Sequence, residues 1–414
     1  MARHDGIFPT FFLSGFECST FLWKDGRRRD LVDETQHRAF AVDDYRLLQH
    51  LGIAVAREGV PWPLADRGGH YDFSFIEPMI EAMRQTHITP IWDLCHYGYP
   101  DGLDPFDTAF KERFAAYCRA TAQHVSRQLP GPYFFTPINE ITFFAFCGGE
   151  WGWVAPYCTT REQRETFREA LCGAAIAGVK AIRSVLPDAR MVHVDPLVQV
   201  VAPPDRPDLK EAAAHETHVD TFRAWDILCG MECPELGGSP EVLDIVGANN
   251  YSFGQMEYRE EGPHEALPPG HPGIEPLCVL LERIWTRYQR PMVIAETSGL
   301  GAGRADWLRD VMNESLAAVN HGMDLHGVCL FPAVDMPDWH TGEWLHNGLF
   351  DLVEQSGKLV RVPHAPYIDE LRHWQKTLNR VTSVDAHPYS DPVDLDDVVA
   401  AARRLRPTPD SDWH

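Results

Sequence analysis

The sequence has no long hydrophobic run and no excess of positive charge. No apolar run approaches the roughly 18 residues of a membrane span, and the first residues, Met-Ala-Arg-His-Asp-Gly, lack the apolar core of a signal peptide. Lysine and arginine number 37 against 60 aspartate and glutamate residues, which gives a formal net charge of −23. Nucleic acid and anionic membranes both require a basic surface, so this balance argues against them as partners. We expect a cytoplasmic protein that binds a small molecule.

Metal-ligand spacing and a cofactor-binding turn are also missing. Cys229 and Cys233 form a C-x-x-x-C pair, but no second cysteine or histidine pair accompanies it. His215 and His218 fall one residue short of the H-E-x-x-H pattern. No glycine-rich phosphate turn follows the first predicted strand, which disfavours an open doubly wound sheet. The sequence therefore predicts neither a metal nor a cofactor.

Short apolar runs alternate with longer helical stretches along almost the whole chain of 414 residues. The predicted strands are 11–17, 53–58, 89–95, 133–139, 190–195, 244–250, 292–296 and 327–332. The predicted helices are 41–51, 74–86, 108–128, 161–186, 208–231, 275–288, 304–321 and 365–377. Eight strand–helix units in order predict a single α/β domain, a (β/α)₈ TIM barrel over residues 1–377. Residues 378–414 are acidic and contain proline, which predicts a tail with one short helix near 394–405.

Long predicted loops follow five of these strands, at 59–73, 97–107, 141–160, 251–274 and 333–362. In a barrel, such loops build the walls of the active site at the carboxyl ends of the strands.

Two glutamates lie at the ends of predicted strands. Glu140 follows the fourth strand, directly after Asn139, and Glu296 ends the seventh. Cleavage of a glycoside with retention needs one carboxyl as acid and base and another as nucleophile. Arg57 ends the second strand and is expected to pair with an acid, because a buried arginine without an anionic partner is costly.

The motifs around these residues resemble those of family-one β-glycosidases of the clan A barrels, over about residues 12 to 376. The Asn-Glu pair of that family is matched by Asn139-Glu140, and its Ile-Thr-Glu-Asn-Gly motif by Ile294-Ala-Glu296-Thr-Ser-Gly299. The resemblance implies that Glu140 is the acid/base and Glu296 the nucleophile. It implies a small-molecule glycoside or oligosaccharide as the substrate.

Two further motifs of the family carry supporting residues. Its His-Trp-Asp-Leu-Pro is matched by His96-Tyr-Gly-Tyr-Pro100, which implies that His96 binds the sugar. Its Asp-Phe-x-Gly-x-Asn-Tyr-Tyr is matched by Asp244-Ile-Val-Gly-Ala-Asn249-Asn-Tyr251, which implies that Asn249 supports the site and that Tyr251 hydrogen-bonds the nucleophile.

The sequence departs from the family on the side of the pocket that holds the non-reducing sugar, the glycone. After strand eight it retains Trp339, but Phe331 replaces the family's tryptophan and Asp338 its glutamate. The glutamine that follows strand one has no clear counterpart, and Glu17 is the nearest polar residue. The bond between Phe331 and Pro332 is expected to be cis. The 6-phospho branch of the family carries Ser-x-x-x-x-Lys-x-x-Tyr in this region, and the chain lacks it, so we expect a glycone that is not phosphorylated.

Three other interpretations stay open at this point. The barrel could bind sugars without catalysis, or it could transfer the sugar to an acceptor by the same covalent intermediate. It could also be a metal-dependent hydrolase that uses His96, His193 and Asp195.

Overall fold

The computed structural model describes residues 6–382. The strands are β1 (Phe12–Gly15), β2 (Val55–Gly59), β3 (Thr89–Asp93), β4 (Phe134–Thr136), β5 (Arg190–Pro196), β6 (Gln199–Val201), β7 (Ile245–Asn249), β8 (Gln255–Glu257), β9 (Glu265–Ala266), β10 (Met292–Thr297), β11 (Leu325–Leu330), β12 (Phe350–Gln355) and β13 (Lys358–Pro363). Eight of them, β1 to β5 with β7, β10 and β11, close into a barrel in which every neighbouring pair is parallel. The predicted (β/α)₈ barrel is confirmed.

The helices lie along the chain between and after these strands. They are α1 (Leu31–Glu34), α2 (His37–His50), α3 (Trp62–Ala65), α4 (Glu77–Thr86), α5 (Thr108–Gln128), α6 (Ile141–Gly149), α7 (Arg161–Arg183), α8 (Lys210–His215), α9 (Arg223–Cys229), α10 (Leu277–Tyr288), α11 (Arg304–Asn320) and α12 (Ala365–Thr382). Short 3₁₀ turns occupy 207–209, 234–236, 252–254 and 301–303, and a π-helical turn occupies 216–220.

The barrel strands are apolar because they are buried on both sides. A cluster of buried side chains inside the barrel contains at least one residue from each of the eight strands, among them Leu13, Val55, Ile91, Phe134, Val192, Ile245, Val293 and Cys329. A larger cluster packs the outer surface of the strands against the helices. Burial on both faces explains why the strands read as continuous apolar runs rather than as alternating patterns.

Five predicted segments differ from the structure in their secondary structure. The predicted loop 59–73 contains the short helix α3, and the predicted loop 251–274 contains strands β8 and β9. Helix α6 lies in the predicted loop 141–160; its sequence, ITFFAFCGG, is too uniformly apolar to show a helical period. The predicted helix 208–231 is broken by the π-helical turn into α8 and α9. The predicted loop 333–362 contains the antiparallel hairpin of β12 and β13.

The last helix, α12, continues to Thr382, past the predicted domain boundary at 377. The rest of the predicted tail, including the short helix expected near 394–405, lies outside the described residues. Within residues 6–382, none of the helices combines the length and the apolar character needed to cross a membrane.

Candidate active site

The two glutamates singled out by the sequence lie at the carboxyl ends of barrel strands. Glu296 is the fifth residue of β10, and Glu140 comes four residues after the end of β4. Both side chains are buried, at 5% and 8% exposure. Each glutamate has its own set of partners, and the two sets differ in charge.

Glu296 is held by one cation and one phenol. Arg57, from β2, donates from Nη1 to Glu296 Oε1 at 2.6 Å, and Tyr251 donates its hydroxyl to Oε2 at 3.0 Å. The other nitrogen of the guanidinium, Nη2, donates to Asp93 at 3.0 Å and to Asn139 Oδ1 at 2.7 Å. A charged donor favours the ionised form of a carboxyl group. This arrangement therefore suits a carboxylate that keeps its negative charge.

Glu140 is held by neutral donors only. Asn249 Nδ2 donates to Oε1 at 2.8 Å, and the Tyr97 hydroxyl donates to Oε2. Burial and the nearby charge of Glu296 raise the pKa of Glu140 to about 8, against smaller lowering effects of these two hydrogen bonds. A carboxyl group with this pKa carries its proton at neutral pH and can donate it.

The backbone at Glu140 is in the left-handed region, with φ 44°. Its N–H donates to Val194 O at 2.9 Å, and its carbonyl accepts from Phe144 in the first turn of α6. The residue thus links β5 to the start of α6, which fixes the direction of its side chain.

His96 and Glu17 lie beside this pair. His96 Nε2 is 3.1 Å from Asn139 Nδ2 and 3.8 Å from Glu17 Oε1. Burial and the charge of Arg57 lower the pKa of His96 well below its usual range, so the imidazole is neutral. Burial raises the pKa of Glu17 to about 7, although Ser19 donates to its Oε1 from both the backbone N–H and the hydroxyl. Glu17 is therefore a second acid of this pocket that titrates near neutral pH.

Phe331 and Trp339 line the same region. The Phe331 ring is buried, lies parallel to the His96 ring at 6.4 Å, and has the Arg57 guanidinium 5.2 Å from its centre. A side chain at Gly15 would meet this ring at 2.8 Å, so the glycine is needed for the ring to pack there. The Phe331–Pro332 bond is cis, which confirms the prediction. Trp339 packs against Tyr97 at 5.1 Å, and its buried indole nitrogen has no hydrogen-bond partner among the described residues.

Asp338 is used by its own loop. Its Oδ1 accepts from the backbone N–H groups of His340 at 2.9 Å and Thr341 at 2.7 Å. Partial burial acts to raise the pKa of the carboxyl group, but these bonds together outweigh it and lower the pKa below its usual range. The role of Asp338 as a ligand of the glycone stays a prediction.

Two residues of the site were missed by the sequence analysis. Tyr97 is the residue after His96, and Asp93 ends β3; both are buried and lie within the network of Arg57, Asn139 and Glu140. The position of Asp93 at a strand end was a signal that could have found it. For Tyr97 the only signal was its place beside His96.

The residues of the metal-dependent alternative do not come together. His193 Nε2 hydrogen-bonds the carbonyl of Val242 at 2.9 Å, and Asp195 accepts from the N–H and the hydroxyl of Thr142 at 3.0 and 2.7 Å. Burial lowers the pKa of His193 to about 4 and raises that of Asp195 to about 7. Their partners are on α6 and in the segment before β7, not at His96.

Two other groups of potential metal ligands exist within residues 6–382: Cys18 with Asp93 and His96, and Asp335 with His346 and Asp351. Each group already has a cationic partner. Arg57 is 2.9 Å from Asp93, and Arg304 is 2.7 Å from Asp351 and 3.7 Å from Asp335.

No protein-family model matches the chain. Among curated proteins it is similar to two aryl-phospho-β-D-glucosidases of Bacillus subtilis. BglC is 22% identical, over 82% of this chain and 91% of BglC. BglH is 20% identical, over 73% of this chain and 76% of BglH.

Among solved structures the chain is similar to β-glucosidase from Thermotoga maritima. The structure described as a family 1 β-glucosidase has a TM-score of 0.71 at 16% identity, covering 91% of this chain and 99% of that one. The complex of that enzyme with glucoimidazole has a TM-score of 0.71 at 17% identity, with the same coverage. The resemblance inferred from the motifs is confirmed at the level of the fold: the chain has the barrel of the family 1 β-glucosidase from Thermotoga maritima.

Proposed function

We propose that the chain is a retaining β-glycoside hydrolase, with Glu296 as nucleophile and Glu140 as acid/base. One observation carries the proposal. Two buried carboxyl groups lie at the same end of the barrel, one bonded to an arginine and the other only to neutral donors. A retaining glycosidase needs this division, because its nucleophile must be ionised while its acid is protonated.

The proposed reaction has two steps. Glu296 attacks the anomeric carbon while Glu140 gives its proton to the leaving oxygen, and a covalent glycosyl-enzyme forms. Glu140, now a carboxylate, then takes a proton from water, which attacks the anomeric carbon and releases Glu296. The hydrogen bond from Tyr251 and the ion pair with Arg57 both reach Glu296, so they stabilise the carboxylate before attack and after release.

The glycone is expected to bind among His96, Glu17, Phe331 and Trp339. The indole N–H of Trp339 and the side-chain oxygen of Asn249 are buried without partners among the described residues. Buried polar groups normally have hydrogen-bond partners, and sugar hydroxyls supply both donors and acceptors. These two atoms therefore support a polyhydroxylated ligand.

We propose a glycone without a phosphate group, in contrast to the names of the two curated relatives. Next to the loop of Asp338, Arg29 donates to the carbonyl of Trp339 and forms two bonds with Glu34. An arginine already paired with a carboxylate is a poor phosphate ligand, because the carboxylate opposes the second negative charge.

The test is hydrolysis of nitrophenyl β-glycosides of glucose, galactose, fucose, mannose and xylose, together with the 6-phosphoglucoside. We expect turnover of at least one neutral β-glycoside and loss of that turnover in Glu296→Gln. Proton NMR of the first product should show the β-anomer. The α-anomer would contradict retention, and a preference for the 6-phosphoglucoside would contradict the proposed glycone. Tight sugar binding without turnover would instead favour the non-catalytic barrel.

The same intermediate could pass its sugar to an acceptor. Helix α6 and the segment after it carry Phe143, Phe146, Trp151 and Trp153, whose rings form a chain of contacts beside the site. An aromatic wall suits an apolar leaving group or acceptor. Product analysis with an added alcohol separates transfer from hydrolysis.

A further inference from the structure

Tyr97 is fixed in place by its backbone and by its ring. It follows β3 with φ 63°, in the left-handed region, and its side chain is buried. The ring makes edge contacts with Phe143 at 5.3 Å, with Phe144 at 5.7 Å and with Trp339 at 5.1 Å. A ring held on three sides leaves the hydroxyl one position.

That hydroxyl lies in a chain of hydrogen bonds between the two catalytic candidates. Arg57 donates to Glu296 and to Asn139 Oδ1, and Asn139 Nδ2 donates to the Tyr97 oxygen at 3.0 Å. Tyr97 in turn donates to Glu140 Oε2.

The direction of this chain follows from the chemistry of its members. A guanidinium only donates, so the amide oxygen of Asn139 must face Arg57 and its NH₂ group must face Tyr97. The phenol oxygen accepts from that amide, so its single proton is left for Glu140. The arginine thus determines, through Asn139, that Tyr97 donates to the acid.

We propose that Tyr97 is a positioning residue for Glu140. Its hydroxyl holds one oxygen of the carboxyl group while Asn249 holds the other, and it stabilises the carboxylate that remains after Glu140 has protonated a leaving group. The inference rests on the proposed function and deepens it, because it assigns to this site a residue that acts through the acid/base.

The hydrogen bond from Tyr97, like that from Asn249, opposes the influences that raise the pKa of Glu140. A donor to the ionised form lowers the pKa of a carboxyl group, whereas burial and a neighbouring negative charge raise it. Glu296 and Asp195 carry negative charges that raise the pKa of Glu140, and the charge of Glu140 in turn raises the pKa values of Tyr97, Tyr251 and Cys147. Among them, Tyr97 is the one that donates a hydrogen bond to the carboxyl group.

The test is the pH dependence of kcat/KM for Tyr97→Phe on the best neutral aryl β-glycoside. The upper limb of this profile is the fall of kcat/KM at high pH, and its position gives the pKa of the acid in the free enzyme. Without the hydroxyl, this limb should move to higher pH by about one unit, the size expected for losing a hydrogen bond to a charged group. A weaker acid also slows departure of a poor leaving group, so kcat/KM for an alkyl glycoside should fall by up to about tenfold relative to that for a dinitrophenyl glycoside.

The matched control is Tyr99→Phe, which removes a buried tyrosine hydroxyl two residues along the same segment. No hydrogen bond joins Tyr99 to Glu140, so the upper limb of the pH profile of Tyr99→Phe should stay at the wild-type pH. If Tyr97→Phe does not fold, 3-fluorotyrosine at position 97 replaces it; this residue keeps the ring and makes the hydroxyl a stronger donor, so the limb should move to lower pH.

The inference would be overturned if the Tyr97 variants left both the upper limb and the ratio of the two kcat/KM values unchanged. An equal shift of the limb in Tyr99→Phe would also overturn it. A wild type that hydrolyses no glycoside of the panel would overturn the proposed function and this inference together. An active wild type with unmoved limbs would overturn the inference alone.

Discussion

Strand β2 separates two buried polar clusters that differ in how completely they are bonded. Side chains alternate across a strand, so consecutive residues point to opposite faces. Arg57 points into the barrel mouth, towards Glu296, Asp93 and Asn139. Glu58 points outward, where His37 Nε2 lies 2.9 Å from its Oε2 and Tyr45 donates to the same oxygen.

In the outer cluster, which consists of His37, Asp44, Tyr45, Glu58 and Arg361, every buried polar side-chain atom has a hydrogen-bond partner. His37 Nδ1 bonds Asp44 at 2.7 Å, and Arg361 of β13 donates to both oxygens of Asp44 at 2.7 and 2.9 Å. None of the buried side-chain nitrogens and oxygens of these described residues lacks a partner. The cluster ties α2 and the β12–β13 hairpin to the barrel.

In the inner cluster, which lies around Arg57 and Glu296, some buried polar atoms have no hydrogen-bond partner among the described residues. Besides its ion pairs, it contains buried atoms with no partner among the described residues: Arg57 Nε, Asn249 Oδ1 and Trp339 Nε1. A half-satisfied buried network is costly for folding alone. The difference between the two sides of β2 indicates that the outer cluster stabilises the protein and that the inner one is shaped for a ligand. Substitutions in each cluster test this division.

The largest effect is expected for Glu296→Ala. Hydrolysis should fall by about 10⁴-fold or more, the scale seen when a covalent nucleophile is removed. With a glycosyl donor that has a good leaving group, azide should then attack from the vacated face and give the α-glycosyl azide. Product NMR gives the anomer. Recovery of the β-azide would mean that Glu296 is not the nucleophile.

Glu140→Ala should cost about 10²- to 10⁴-fold on substrates with poor leaving groups, the usual contribution of a general acid. A dinitrophenyl glycoside should still form the glycosyl-enzyme, because its leaving group needs no proton. Azide should then accelerate release and give the β-glycosyl azide. Equal losses on both substrates would contradict the assignment of Glu140 as acid/base.

The outer cluster should affect stability and its dependence on pH. Burial acts to lower the pKa of His37, but Glu58 and Asp44 outweigh it and raise the pKa to about 9 from 6.5. A group whose pKa is raised on folding stabilises the protein fully below the unfolded value, and that stabilisation is lost as pH rises through the folded value. Between pH 6.5 and 9.5, the wild type should lose about 3 kcal/mol of unfolding free energy through this group.

Urea unfolding at several pH values measures this loss. His37→Gln should be less stable than the wild type at pH 6 and should show a smaller change up to pH 9.5. His70→Gln, at an exposed position, is the control and should follow the wild type. If the unfolding free energy of His37→Gln changed with pH as steeply as that of the wild type, the outer cluster would not be the source of the pH dependence.

The sequence revealed the inner cluster better than the outer one. Glu140, Glu296 and Arg57 lie at or near the ends of apolar runs, where barrel topology alone brings distant residues together. Nothing comparable marks His37, Asp44, Glu58 and Arg361. The ion pair between Asp44 and Arg361 joins residues 317 positions apart, and their approach depends on how a hairpin and a helix pack.

The direction of side chains in loops was the other feature that could not be predicted from sequence patterns. Tyr97 and Glu140 both have positive φ, so the periodicity of helices and strands does not apply to them. Asp338 lies at the predicted place after β11, but its carboxylate binds the N–H groups of its own turn. Short acidic side chains often do this, and such local bonds compete with a role in binding.

The smallest effect is expected for Glu17→Gln, which tests the glycone side of the inner cluster. Glu17 is buried close to His96, and its pKa of about 7 means that its charge changes across neutral pH. Glutamine has the size of protonated glutamate, and it keeps both an acceptor for Ser19 and a donor for a sugar. Below pH 6, the variant and the wild type should therefore have similar kcat/KM values.

Above pH 8 the two proteins should diverge. The transition state of glycoside cleavage carries positive charge on the sugar ring. Ionised Glu17 attracts that charge, whereas the amide does not, so kcat/KM of Glu17→Gln should fall below the wild-type value by up to about tenfold, within the range for one hydrogen bond to a charged group. Because only the ratio of the two proteins is compared, the titration of Glu140 cancels as long as its pKa is the same in both. A ratio that stays constant from pH 5 to pH 9 would show that the charge of Glu17 does not act on the reacting sugar. His96 would then be the last residue of the inner cluster on the glycone side.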